Sequence, residues 1–141
     1  MIFALKICFG LALFIAGLQM FGSALKSLSD PTWLAGIDNP WAMAATGFVM
    51  TLIVQSSSIT TAVLVVLVAA SQLSLPGAIG GVIGANLGTT ITVWLAWLAS
   101  GAFDLEPAAR HVAIAHTLLN LAMAMVALPF ARQIASLVGR F

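Results

Sequence analysis

The chain has 141 residues, of which 62% are hydrophobic and 6% charged, with a formal net charge of +1. A soluble domain is on average about 25% charged and about 45–50% apolar, so this composition excludes an ordinary soluble fold and suits lipid as the solvent. The basic residues Lys6, Lys26, Arg110, Arg132 and Arg140 stand singly, which excludes a polyanion footprint and a nucleic-acid partner, and the single cysteine, Cys8, excludes an intrachain disulfide.

Residues 2–22 form the first predicted helix, long enough at about 1.5 Å per residue to cross a hydrocarbon core of about 30 Å. Lys6 precedes the apolar run, but no A-x-A site follows before Lys26, so the segment reads as a retained helix and not a cleaved signal. Residues 23–40 mix Lys26, Asp30, Pro31, Trp33, Asp38 and Pro40, a composition that fits the water interface, with Trp33 and Trp41 as headgroup anchors.

Residues 41–70 are apolar at both ends and polar in the middle, at Gln55, Ser56, Ser57, Ser58, Thr60 and Thr61. One helix over this stretch would measure about 45 Å, too long for the bilayer, whereas each arm alone reaches only about 20 Å. Two half-helices folded as a re-entrant hairpin fit better. Their tip has irregular backbone at membrane depth, which is tolerated only where protein or a water-filled cavity satisfies the free N–H and C=O groups.

A short turn at 72–76 leads to a hydrophobic span over 77–100 with Gly77, Gly80, Gly81, Gly84 and Gly88. Their small-x-x-x-small spacing permits close approach of another helix. The run Gly84-Ala85-Asn86-Leu87-Gly88-Thr89-Thr90 adds polar groups at mid-span, and predicts a broken helix whose unwound part faces the hairpin tip. A polar loop with Asp104, Glu106 and Pro107 precedes a helix over 109–130, and Arg132 and Arg140 mark an amphipathic tail over 131–141.

The polar groups expected at membrane depth are Gln55, Ser56, Ser57, Ser58, Thr60, Thr61, Asn86, Thr89, Thr90, Thr92, His116, Thr117 and Asn120, and none bears a fixed charge. Acid–base or nucleophilic catalysis needs a carboxylate, a partnered histidine or a metal set, and the four carboxylates fall in the interfacial loops, so an enzyme is not expected. Hydroxyl, amide and backbone oxygens suit Na⁺ instead. A half-helix starting near Ser57 or Ser58 would turn unpaired N–H groups and a positive dipole end toward an oxyanion. Serine and threonine side chains that bond their own i−4 carbonyls are the structural alternative, but consecutive positions such as Gln-Ser-Ser-Ser face every direction of a regular helix. His116 and Asn120, four apart, share one helix face, and helix packing is the expected role of His116.

Gln55-Ser56-Ser57-Ser58, then Gly84-Ala85-Asn86-Leu87-Gly88-Thr89-Thr90, then Arg110 with His116 and Asn120, together resemble the type II sodium/phosphate cotransporter family. The resemblance covers nearly the whole chain as one repeat; the family carries two inverted repeats, each with a QSSS hairpin and a GAN-x-GT segment. It implies an all-α integral membrane fold of three transmembrane helices plus a re-entrant broken-helix hairpin, forming one inverted-repeat unit. It also implies symport of inorganic phosphate with sodium as coupling ion and no further cofactor. Phosphate would be held by Gln55, Ser56, Ser57, Ser58 and Asn86. Sodium would be held by Gln55, Ser56, Ser57, Thr60, Asn86, Thr89 and Thr90, with Gly84, Gly88, His116 and Asn120 in support.

The sequence carries one QSSS element, and no soluble regulatory domain follows it within these residues, as one does in many bacterial members of the family. One repeat cannot enclose a two-fold pocket, so a homodimer is expected. Three spans plus a hairpin give an odd number of crossings, and an antiparallel pair would reproduce the inverted repeat. Lys6 and Arg110 on one side face Lys26, Arg132 and Arg140 on the other, too even a split to fix one orientation. The expected location is a multi-pass position in the lipid bilayer of a bacterial inner (cell) membrane. A sodium-coupled carrier of another oxyanion and a non-transporting subunit packing through its Gly-rich face are the alternatives.

Overall fold

The computed structural model describes residues 2–27, 39–99 and 107–140. The elements among them are all helices: α1 (Ile2–Ser27), α2 (Pro40–Val54), α3 (Ser57–Ala69), α4 (Leu75–Ala99), α5 (Pro107–Ala127), a 3-10 turn (Leu128–Phe130) and α6 (Ala131–Val138). Two stretches among them are long and apolar enough to cross a membrane, Leu75–Ala99 and Ala108–Val138. The first helix continues beyond the expected end at 22, to Ser27, and runs beside α3. The interfacial roles expected of Asp30, Trp33, Asp38, Asp104, Glu106 and the Lys26 side chain lie outside the described residues.

The local sequence sets each boundary of the α2–α3 unit. Asn39 caps α2 by accepting from the Trp41 N–H at 2.9 Å, and Pro40 occupies the first turn, where its missing N–H costs nothing. At the other end Gln55 adopts the left-handed conformation, φ 56°, with its N–H on the Thr51 carbonyl at 2.7 Å. Ser56 is extended at once after it, φ −151°, and its Oγ accepts from the Ile59 N–H at 3.3 Å. A helix stop and a helix start therefore occupy adjacent residues.

The two helices fold back on each other. Thr51 Oγ1 donates to Thr60 Oγ1 at 3.0 Å across the break, and Met43, near the start of α2, shares a buried cluster with Leu64, Leu73 and Ala78. After α3 the chain turns through Ser71, φ 59°, with the Gln72 N–H on Leu67 O and the Ser71 N–H on Val68 O, both at 2.9 Å. This is a Schellman arrangement with serine at the left-handed position. Ser74 Oγ accepts from the Gly77 N–H at 3.2 Å and starts α4, which runs parallel to α2.

The expected break within 84–90 is absent, because α4 is one helix from Leu75 to Ala99. Its glycines serve contact instead of bending. A Cβ on Gly80 would collide with the Pro40 backbone, one on Gly84 with the Ala44 backbone, and one on Gly88 would lie 2.9 Å from both Phe48 O and Thr51 Cβ. Pro40, Ala44 and Phe48 thus form a ridge every fourth residue that fits Gly80, Gly84 and Gly88. Two of the polar groups that suggested unwinding are satisfied inside the helix, since Thr89 Oγ1 donates to Asn86 O and Thr90 Oγ1 to Leu87 O at 2.7 Å.

Helix α5 is tied to α4 by Trp94 Nε1, which donates to Thr117 Oγ1 at 2.9 Å. It stops at Ala127, before the expected end at 130, because Pro129 lacks the N–H that an α-helix needs there. The expected tail is a helix, α6, with Ala131 and Ala135 buried and Arg132, Gln133 and Ser136 exposed.

Candidate functional site

At the α2–α3 break two opposite helix ends meet. The last carbonyls of α2 form the negative end of its dipole, while the first N–H groups of α3 form a positive one. Gln55 is exposed and bridges the break to α4: its Oε1 accepts from Thr92 Oγ1 at 2.9 Å, and its Nε2 donates to Leu52 O. Ser56 is engaged as the cap of α3, and its carbonyl receives both the Thr60 N–H at 3.2 Å and Thr60 Oγ1 at 3.1 Å.

Beside the break lies an open cavity of about 440 Å³ lined by Ser57, Ser58, Thr61, Ala62, Val65 and Asn86. Ser57, Thr61 and Asn86 are half-buried and Ser58 is exposed. Among the described residues, none of these four polar side chains forms a hydrogen bond to another residue. The N–H groups of Ser57 and Ser58, the first two of α3, have no partner within the helix either. The cavity therefore sets hydroxyl and carboxamide residues beside the N-terminal end of α3, where the first N–H groups carry the positive end of the dipole. No carboxylate falls among the described residues, nor any group of three metal-ligating side chains.

The structure brings Ser57, Ser58 and Asn86 together and sends the other expected residues elsewhere. Thr60 is 2% exposed and lies between α2 and α3, where it accepts from Thr51. Thr90 is 4% exposed, and Thr89 returns its proton to its own helix. Gly84 and Gly88 hold α2 against α4. His116 and Asn120 pair on α5: Asn120 Nδ2 donates to the His116 carbonyl at 2.9 Å and lies 3.2 Å from His116 Nε2. His116 Nδ1 is buried without a partner among the described residues. Neither residue lines the cavity at Ser57.

Thr61 was not assigned to the site from sequence, although it lines the cavity. Its spacing, four residues after Ser57 and three after Ser58, was the available signal, because such positions share a helix face.

The model of the family described as Na+/Pi-cotransporter matches residues 13–139. Human sodium-dependent phosphate transport protein 2C is 40% identical over 90 residues, which is 64% of this chain and 14% of that protein. Mouse sodium-dependent phosphate transport protein 2A is 33% identical over 93 residues, 57% of this chain and 15% of that protein. The uncharacterized protein YqeW of Bacillus subtilis is 32% identical over 93 residues, 66% of this chain and 29% of that protein. The matched stretch is thus under a third of the length of these curated relatives. No solved structure matches the chain.

Proposed function

The chain belongs to the type II sodium/phosphate cotransporter family, and from that membership we propose that it carries inorganic phosphate across a membrane together with sodium, at the α2–α3 break. The observation that carries this reading is the cavity of Ser57, Ser58 and Asn86, whose polar side chains have no hydrogen-bond partner among the described residues and which lies by a positive helix end. Phosphate sits against the α3 N–H groups, with Ser57, Ser58 and Asn86 donating. Sodium sits toward Gln55 and Ser56, where the terminal carbonyls of α2 supply oxygen. Each ion lowers the cost of desolvating the other, so no lysine or arginine is needed at that depth. Thr60, Thr89 and Thr90 act one layer back, by fixing the carbonyls and helices around the ions.

In this reading α1, α4 and the α5–α6 stretch cross the bilayer, while α2 and α3 enter and leave from one side as a re-entrant hairpin. The unit is one inverted repeat, and a second copy of opposite orientation completes the midplane site in the inner membrane of a bacterium. An open cavity with bare main-chain groups supports a partner there, because hydrocarbon cannot satisfy those groups. The packing-subunit alternative is weakened, since Gly80 and Gly84 already face Pro40 and Ala44 of the same chain.

Purified protein in proteoliposomes should take up phosphate under an inward sodium gradient and not under a potassium gradient. Uptake indifferent to sodium would remove the symport reading, and a preference for another oxyanion in a counterflow panel would change the substrate. Reporter fusions at the C-terminus should reveal both orientations; a single one would sink the antiparallel pair.

A further inference from the structure

We propose that the Thr61 hydroxyl binds and positions the oxyanion at the start of α3, an assignment that rests on reading the Ser57–Asn86 cavity as the anion site. Every other threonine among the described residues is already tied to the protein. Thr46, Thr60, Thr89, Thr90 and Thr117 donate to carbonyls three or four residues back, Thr51 donates to Thr60, and Thr92 donates to Gln55. Thr61 makes no such bond, is half-buried, and lines the cavity. Back-bonding is the default for a helical threonine in an apolar chain. Its absence at this one position leaves a hydroxyl for a ligand.

The helix geometry places Thr61 next to that helix end. Cα–Cβ bonds in an α-helix tilt toward its N-terminus, so a side chain covers the turn before its own Cα. For Thr61 that turn holds Ser57 and Ser58, whose N–H groups begin α3, about 6 Å up the axis at about 1.5 Å per residue. An oxyanion seated on those N–H groups presents a further oxygen to Thr61, which can donate to it or accept from a protonated one. Below it, Ala62 and Val65 give the cavity an apolar wall, so Thr61 is the lowest polar contact that α3 offers.

Thr61→Val keeps the shape of the side chain and removes the hydroxyl, whereas Thr61→Ser keeps the hydroxyl. In proteoliposomes T61V should raise the phosphate KM roughly tenfold or more, the loss expected for a hydrogen bond to a charged partner. The sodium dependence should stay unchanged. T61S should stay within about twofold of the native protein, a rescue that a purely structural role would not give. The control Thr46→Val, on the exposed side of α2, should change neither. Where T61V does not insert, Thr61→Ala takes its place. Thermal stabilisation of the detergent-solubilised protein by inorganic phosphate gives a second readout, and should fall in T61V and persist in T61S. A native protein that transports phosphate, with T61V unchanged in KM or T61S as impaired as T61V, overturns the role of Thr61 alone. A native protein that neither transports phosphate nor is stabilised by it overturns the anion site itself, and this assignment with it.

Discussion

Replacing Gly84 with alanine should abolish the folded protein, seen as loss of a cooperative thermal transition in detergent and loss of inserted protein in the membrane. The added Cβ would collide with the carbonyl of Ala44, a backbone group on a neighbouring helix that has no rotamer to change. Overpacking a core usually costs about 1–3 kcal/mol because side chains give way. Here only a whole helix can give way, and its displacement would also part Pro40 from Gly80 and Phe48 from Gly88. Gly10→Ala is the matched control. Nothing lies within 4 Å of a Cβ at Gly10, so the same chemical change should leave stability unaltered or slightly raised through helix propensity. Equal behaviour of the two variants would mean that α2 and α4 do not meet backbone to backbone.

Asn86→Leu should reduce sodium-driven phosphate uptake by more than tenfold at normal levels of inserted protein. The carboxamide is the polar group that α4 contributes to the cavity, opposite the hydroxyls of α3. Leucine removes its donors, each worth about 1.5–3 kcal/mol when the partner is an ion, and fills part of the space with apolar bulk. It should leave the α2–α4 contact intact, because that contact runs through Gly80, Gly84 and Gly88 on another face of the helix. Uptake above about a third of the native rate would remove Asn86 from the site, and a lowered unfolding temperature would reassign it to packing.

The break at Gln55 and Ser56 was legible because polar side chains at consecutive positions cannot all face one way on a helix. The means of the break came only with the structure, in the left-handed Gln55 that stops α2 and the Ser56 hydroxyl that caps α3. The continuity of α4 was not legible. A glycine shows only that a Cβ is missing, and bending or contact can be the reason. What decides between them is the partner, the Pro40–Ala44–Phe48 ridge at the same four-residue spacing. Thr60 and Thr61 show the second limit. They are chemically identical neighbours, but one step of helix turns them about 100° apart, which buries one against Thr51 and sets the other in the cavity. Only the placement of α2 and α4 around α3 selects which is which.

The bare contact between α2 and α4 also dictates how this molecule can move. With no side chain interposed at Gly80 or Gly84, the pair behaves as a single stiff beam. The other arm, α3, is held by side chains instead: Leu64 packs with Met43, Leu73 and Ala78 and reaches over Gly81, and Thr51 bonds Thr60 across the break.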